Sequence, residues 1–470
     1  MALQIIQTPL YDILPVGQQV IFAVSDNTVV GANFRVKFIA EVYVSNTAIT
    51  FSSSDLVGSF KTTPNNAGVG IFDFQSVLET LVKPDHEPNS TELATSISQY
   101  KGSNASSKIF PIHLIDKYSV NNNAMKYFAI KFKVEYFTNT TTSTITTSTG
   151  VNSDEYQMFN GILQYDDVLT LISGNYGYDL DSPLGGGFFP YPSAARFLTN
   201  APYTQYARLV DYGTFAFLNY VPYGDKLTDI VLTYYWNGGS STETRVVNTT
   251  NGGWSTSTAN SYTHLMYFGG FPANLQNTSA LFATAITNGL THYTMRSNDA
   301  FGVLGATYTI NILCPNLKGY EAIRLAWLNQ WGVWDYYTFN MKSTRSISTN
   351  RTSYTQQGGT WNEGKFKIAG YKGGKKNFRV NSTEKITLNT DFVSESDGVW
   401  FEELINSSEV YIINEYDGTE TSPYNDITNK YVEPARITNS SYTRKTVAND
   451  KLMQYTIEIE KSKMKRTHSA

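Results

Sequence analysis

The sequence predicts a mainly β protein: tandem antiparallel β-sandwich domains, a mixed, β-rich C-terminal domain and few short helices. Three observations carry that expectation. Period-two alternation of apolar and polar residues recurs along the 470 residues, and such alternation turns one strand face to a core and the other to water. The composition suits pleated sheets, since aromatic residues make up 14% and charged residues only 16%, where a soluble domain typically has about 25% charged. Turn triplets separate the runs: Asn237-Gly238-Gly239, Asn251-Gly252-Gly253 and Lys372-Gly373-Gly374, where positive φ carries little steric cost. A hydrophobic content of 41% excludes disorder as the main state. The length predicts about two to four domains.

Taken in order, Phe34, Val36, Phe38, Ala40, Val42 and Val44 share one face of a first long strand, opposite Arg35, Lys37, Glu41 and Tyr43. A short helix follows: Asp73 is placed to cap it, Phe74, Val77, Leu78 and Leu81 fall at helical spacing, and Pro84 stops it. Phe128, Ile130, Phe132, Val134 and Tyr136 mark a second long strand, with Lys131, Lys133 and Glu135 opposite. Further strands are predicted over 229–236, 308–313, 321–328, 333–339, 410–413 and 453–459. Ser394 with Asp397 reads as a capping box for a second helix, with Trp400, Leu404 and Ile405 on one face. Both helices read as lids over a β-layer. Polar or Gly/Pro-rich tracts at 139–148, 176–192 and 343–359 mark the seams, the first as an exposed hairpin or loop. Domain limits near 172 and 335 give an N-terminal sandwich with one helix (1–172), a middle sandwich (173–335) and a C-terminal assembly domain with one helix (336–470).

Chemistry is sparse. Basic residues number 36 and acidic residues 40, a net charge of −4, so no global field attracts nucleic acid. The single cysteine, Cys314, excludes a disulfide framework and reads as a small buried hydrophobe. Residues 1–14 lack a basic n-region and a long apolar h-region, so no signal peptide is expected. No run of about 18 apolar residues predicts a membrane span. The five histidines, His86, His113, His264, His292 and His468, show no metal-ligand spacing. Gly370-Tyr371-Lys372-Gly373-Gly374-Lys375-Lys376 resembles a P-loop but is one residue short, and Lys376 stands where a magnesium-binding hydroxyl belongs. It reads as a basic hairpin. With Lys365, Lys367 and Arg379 it forms a solvated turn or an anchor for an acidic neighbour, in preference to a phosphate-backbone contact. Asp154/Glu155, Asp166/Asp167, Asp179/Asp181 and Glu402/Glu403 are sequence neighbours whose side chains diverge, so none reads as a hydrolytic pair. Catalytic, cofactor and metal sites are therefore all expected to be absent. The densest ring cluster, Trp327, Trp331, Trp334, Tyr336, Tyr337 and Phe339, reads as a domain core or a subunit interface in preference to a sugar-stacking platform.

The run Leu325-Ala326-Trp327-Leu328-Asn329-Gln330-Trp331-Gly332-Val333-Trp334-Asp335-Tyr336-Tyr337-Thr338-Phe339 resembles a hairpin of virion proteins from tailed bacteriophages that infect Bacteroidetes and marine bacteria. As in those proteins, a basic hairpin, an acidic helical segment (390–406), a Ser-x-x-Val-Tyr strand (Ser407 to Tyr411) and a strand introduced by Asn449-Asp450-Lys451-Leu452 follow. Residues 33–44 and Gly68-Val69-Gly70-Ile71-Phe72-Asp73 are similar to the opening of such proteins. The resemblance spans about half the chain and does not extend to residues 173–300. It implies a structural virion protein of the tail or its rings and fibres.

The expected function is thus a non-enzymatic structural component of a tailed-phage virion. Its place is the tail apparatus (ring, hub or fibre attachment), in a symmetric oligomer assembled in the host cytoplasm. Its partners are copies of itself and other virion proteins. The rival is a glycan-binding receptor-recognition or depolymerase protein, or a head fibre or decoration protein, of the same particle. The C-terminal domain reads as the assembly element. There the basic hairpin (365–379) and the basic tail of Lys461, Lys463, Lys465 and Arg466 stand against acidic segments 395–403 and 409–417. The aromatic hairpin is expected to supply most of the assembly free energy.

Overall fold

The computed structural model describes residues 3–83, 118–121, 124–141, 144–164, 171–172, 175–176, 197–219, 227–246, 264–299, 305–313, 319–360, 363–414, 432–439, 441–443 and 453–466. The tract 177–192, the Asn251 turn and Cys314 lie outside these residues. The protein is mainly β, built from several sheets, with five helices of at most 12 residues among the described residues. It forms two compact units: Met1–Leu313 with Leu328–Asp335 and Pro423–Asn425, and Cys314–Trp327 with Tyr336–Ser422 and Asp426–Ala470. The expected limit near 335 falls inside the strand Trp334–Phe339.

The first unit opens with a sandwich. One sheet runs β1 (Gln4–Gln7), β3 (Ile21–Ser25), β6 (Val69–Asp73). The other runs β2 (Ile13–Pro15), β11 (Tyr156–Phe159), β8 (Met125–Phe137), β4 (Phe34–Ser45), β5 (Leu56–Thr62). β9 (Thr146–Thr147) and β10 (Val151–Asn152) also pair with β8. The predicted alternation fixes the core: Phe22, Val24 and Phe72 of the first sheet cluster with Phe38, Ala40, Val42, Phe128, Ile130, Phe132 and Val134 of the second. Phe132 lies 5.7 Å from Phe22 and 5.6 Å from Phe72. Each such ring contributes about 1.5–3 kcal/mol by burial. On the opposite face Lys133 pairs with Glu41 at 2.5 Å and Lys61 with Glu135 at 2.6 Å. Burial pushes the Glu41 carboxyl up, but hydrogen bonds from Lys133 and Tyr43 outweigh it and hold the group below its usual value.

The first predicted helix is a single turn, Gln75–Leu78, with Phe74 at its N-cap. Asp73 is the last residue of β6, and its carboxylate accepts from Gln75 N at 3.1 Å and Val20 N at 3.2 Å. It therefore ties the helix start to the residue before β3, and Phe74, not Asp73, is the N-cap. The hydroxyl tract is exposed where described except at Ser148, whose hydroxyl accepts from Val134 N at 3.0 Å, and its end returns along β8 as β9.

Elsewhere in this unit, a five-stranded sheet runs β14 (Thr204–Ala207), β20 (Tyr308–Ile312), β19 (Leu290–Asp299), β16 (Leu227–Trp236), β17 (Gly239–Val246). Gly238, at φ +95°, makes the β16–β17 turn. A three-stranded sheet runs β15 (Phe215–Asn219), β18 (His264–Phe268), β7 (Tyr118–Asn121). β12 (Leu171–Ile172) and β13 (Asn175–Tyr176) form a separate small hairpin. β7 precedes residue 172 in the chain yet pairs with β18, so a strand bridges the limit expected there. Phe197 links the two larger sheets, with ring centroids 5.4 Å from Phe215 and 4.9 Å from Tyr308. The helices Pro272–Thr278 and Ala280–Thr287 close the layer, and Phe282 packs edge-on against Tyr234 and Tyr293.

The second unit is built on one seven-stranded sheet: β22 (Trp334–Phe339), β21 (Ile323–Leu328), β25 (Val410–Ile413), β26 (Val432–Ile437), β27 (Thr456–Lys461), β24 (Gly374–Asn389), β23 (Thr344–Gln356). The predicted terminal strand starts three residues late, because Met453 instead bridges Val393; its apolar face of Met453, Tyr455, Ile457 and Ile459 is buried as expected. The helix Glu395–Asn406 carries the predicted capping box of Ser394 and Asp397. It lies over the sheet, with Trp400 4.9 Å from Trp327 and Phe401 4.8 Å from Tyr337.

Candidate functional site

Two ring-bearing hairpins adjoin in sequence, and they have opposite fates. The β21–β22 hairpin is core. Trp327, Trp331, Trp334, Tyr336 and Phe339 are all buried, and Trp327 is 0% exposed. Its turn is built by two residues of the resemblance motif. The Asn329 side-chain oxygen accepts from Trp331 N at 2.9 Å and Val333 N at 3.3 Å, while its amide donates to Leu198 O at 3.0 Å. Gly332 adopts φ +69°, and a Cβ there would stand 1.7 Å from Asn160 O. Gln330 O accepts from Ile162 N at 2.7 Å. Buried Arg324 donates to Thr338 Oγ1 at 2.8 Å and sits 5.2 Å over the Tyr336 ring. The cluster therefore offers neither an open sugar platform nor, as expected from sequence, the adhesive surface of an assembly: its rings are consumed within their own chain.

The second hairpin projects. β23 and β24 pair from Thr344↔Thr387 to Gln356↔Gly374, with one irregularity at Thr352/Ser353 that leaves Phe378 unpaired. β23 ends the sheet order, and all of its residues from Thr344 to Thr355 are exposed. β24 is exposed from Gly374 to Arg379, and buried residues alternate along it only from Glu384 onward. The base of this ribbon is thus sheet, while its distal half has solvent on both faces. Thirteen strand residues reach about 40 Å at about 3.3 Å per residue. The polar stretch 343–359 is therefore a strand where a seam was expected. Its Thr, Ser, Ile and Tyr residues suit extension, but no alternation betrays it because neither face is covered.

The look-alike phosphate loop sits at the ribbon's end as the expected basic hairpin. Gly373 and Gly374 take φ +93° and +79°, and Gly373 N donates to the Gln356 side chain at 3.3 Å. Thr360 N donates to Lys367 O at 3.0 Å, closing the turn on itself. At this end the apolar side chains point outward: Ile368 is 89%, Tyr371 78% and Phe366 64% exposed. Between 350 and 383 seven basic residues (Arg351, Lys365, Lys367, Lys372, Lys375, Lys376, Arg379) face a single acid, Glu363. Among the described residues, Lys367 with Glu363 at 3.7 Å is the one ion pair this set makes. Strand register places Tyr354, Lys376 and Arg379 on one face and Arg351 with Lys375 on the other.

The root of the ribbon is clamped. Arg345 donates to Glu384 and to Glu321, each at 2.6 Å, and Lys465 donates to Glu384 at 2.8 Å. Lys465 and Arg345 hold the Glu384 carboxyl down at about 2. Lys461 pairs with Glu433 at 2.8 Å, so half of the basic tail expected to meet a neighbour is engaged within the chain.

His292 stacks on Tyr235 at 4.6 Å and meets Thr291 Oγ1 at 3.0 Å; His86, His113 and His468, with the side chain of His264, lie outside the described residues. Glu155 accepts from Ile49 N at 2.5 Å, and Glu402 and Glu403 lie half-buried on the helix Glu395–Asn406. Asp166, Asp167, Asp179 and Asp181 are outside the described residues. No group of three His, Cys, Asp or Glu suited to a metal occurs among the described residues, and no helix among them is long and apolar enough to cross a membrane. A cleft of about 350 Å³ lies between Gln7–Leu10 and Gln18–Ile21, and none of its lining residues is charged.

No protein-family model matches the chain, and no curated protein matches it. Among solved structures, the native conformation of E. coli alpha-2-macroglobulin aligns over 82% of this chain and 21% of its own, at 8% identity and TM-score 0.20. This chain therefore spans about a fifth of that one, and a likeness at this level carries no argument.

Proposed function

We propose that the chain is a non-enzymatic structural component of a tailed-phage virion, in the tail apparatus as a ring, hub or fibre-attachment protein, assembled as a symmetric oligomer. The observation that supports this reading is the ribbon of β23 and β24. A solvated arm with Ile368, Tyr371 and Phe366 at its end spends apolar surface with no return in a lone chain, whereas in an assembly that surface is buried. The resemblance of the β21–β22 hairpin to virion proteins points the same way, and its Asn329 and Gly332 have a structural use. The test is imaging of purified particles of the encoding phage, labelled with an antibody to this chain. Label at a fixed, symmetric position on the tail is expected. Particles that lack the chain, or hydrolysis of host glycan by the purified protein, overturn the reading.

A further inference from the structure

The chain has a net charge of −4, but its charge is strongly segregated within the second unit. The arm, with seven basic residues against one acid, is followed by 44 residues, 386–429, that contain ten carboxylates, six of them within 386–414, and no basic residue. The described part of that segment includes the helix Glu395–Asn406 and leaves two large apolar side chains, Phe392 and Val399, exposed. The arm and this segment thus match in two respects at once: opposite charge, and exposed apolar groups set among it. Lys365, Lys372, Lys375, Lys376 and Arg379 make no ion pair with the described carboxylates of their own chain.

We infer that the ribbon of one copy docks on the acidic 386–414 surface of a second copy, burying Phe366, Ile368 and Tyr371 against Phe392 and Val399. This rests on the symmetric-oligomer reading above and names the contact that makes it. Arm and acceptor are different surfaces, so the contact is head-to-tail, and it closes into a ring or runs on as a filament according to the rotation per copy. The apolar end and the attraction between the lysines and the acidic surface both supply affinity, and the lysines also set encounter rate and register. A protein partner is favoured over a nucleic acid because Ile368, the most exposed of the three, gains from an apolar surface and nothing from phosphate.

The test uses the full chain. Light scattering after size exclusion is expected to show self-association that weakens as salt rises from about 50 to about 500 mM. Ile368→Ser with Tyr371→Ser should weaken it about thirty-fold, the scale of a hot-spot loss. Lys372→Glu, Lys375→Glu and Lys376→Glu together should abolish it, and mixing that variant with a Glu395→Lys, Glu402→Lys variant should restore mixed complexes. As a check that needs no variant to fold, equal amounts of ordinary and ¹⁵N-labelled chain are coupled with a zero-length carbodiimide. Mixed-isotope crosslinks between Lys372, Lys375 or Lys376 and the 386–414 carboxylates are expected. A chain that stays monomeric overturns the inference and leaves the particle-imaging test of the virion reading untouched. Self-association indifferent to the arm variants overturns it while the oligomer reading stands. Salt-sensitive binding of the arm to duplex DNA or to phosphatidylserine vesicles, without mixed crosslinks, overturns it in favour of another partner class.

Discussion

The β21–β22 hairpin and the β23–β24 ribbon are consecutive, both rich in rings, and end at opposite extremes of burial. Ring content does not separate them. The first carries two charges in its strands, Arg324 and Asp335, both buried, whereas the second places a basic residue at every few positions and no apolar alternation at its distal end. Desolvating a cluster of like charges is costly, so the ribbon stays in water and its apolar groups stay with it. Burial in this molecule follows what accompanies the rings.

That contrast can be broken by substitution, and the largest effects belong to the buried hairpin. Trp327→Ala should cost about 3–5 kcal/mol through the cavity it leaves, read as a lower urea midpoint; a cost under about 1 kcal/mol would mean the hairpin is not core. Gly332→Ala should cost about 2–3 kcal/mol, since φ +69° and the backbone oxygen of Asn160 both oppose a Cβ. A midpoint unchanged from wild type would show that the turn relaxes freely.

At the root of the ribbon the effect should be intermediate and dependent on pH. Glu384 is held at about 2 against a usual 4.5, so its contribution is present above pH 4.5 and is lost as pH falls towards 2. Discounted for the exposure of Arg345 and Lys465, it amounts to about 1–2 kcal/mol. Melting temperature against pH should therefore fall more steeply between 4.5 and 2 for wild type than for Glu384→Gln, and parallel curves would remove the clamp from the account. Ser394→Ala should cost about 1 kcal/mol by loss of the capping box, measured by urea unfolding. The smallest effect belongs to the ribbon's end: Ile368→Ser should change stability by less than about 0.5 kcal/mol. A larger loss in that variant would place Ile368 in the chain's own core and erase the comparison.

Much of the fold was legible. The alternation of Phe38, Ala40 and Val42, and of Phe128, Ile130, Phe132 and Val134, names the sandwich core, because strand faces are set by a local two-residue period. Val410–Ile413 is the strand expected, and Ser394 with Asp397 makes the capping box expected; both rest on neighbours a few residues apart. Asp73 read as a cap, but the N-cap is Phe74 and Asp73 ends β6; its bond from Val20 N, 53 residues away, leaves no local signal. The basic hairpin was visible as composition, but not as the end of an arm.

The sequence alone determined which segments extend, which of their faces are apolar and where local caps and glycine turns fall, because those depend on residues within a few positions of one another. Tertiary structure alone decided that β7 joins the sheet of β15 and β18, that residues 344–356 are a strand, and that the tryptophans close upon their own chain. Those outcomes depend on backbone partners tens to more than a hundred residues distant, and a hydrogen bond to a distant strand leaves no period in the sequence that makes it.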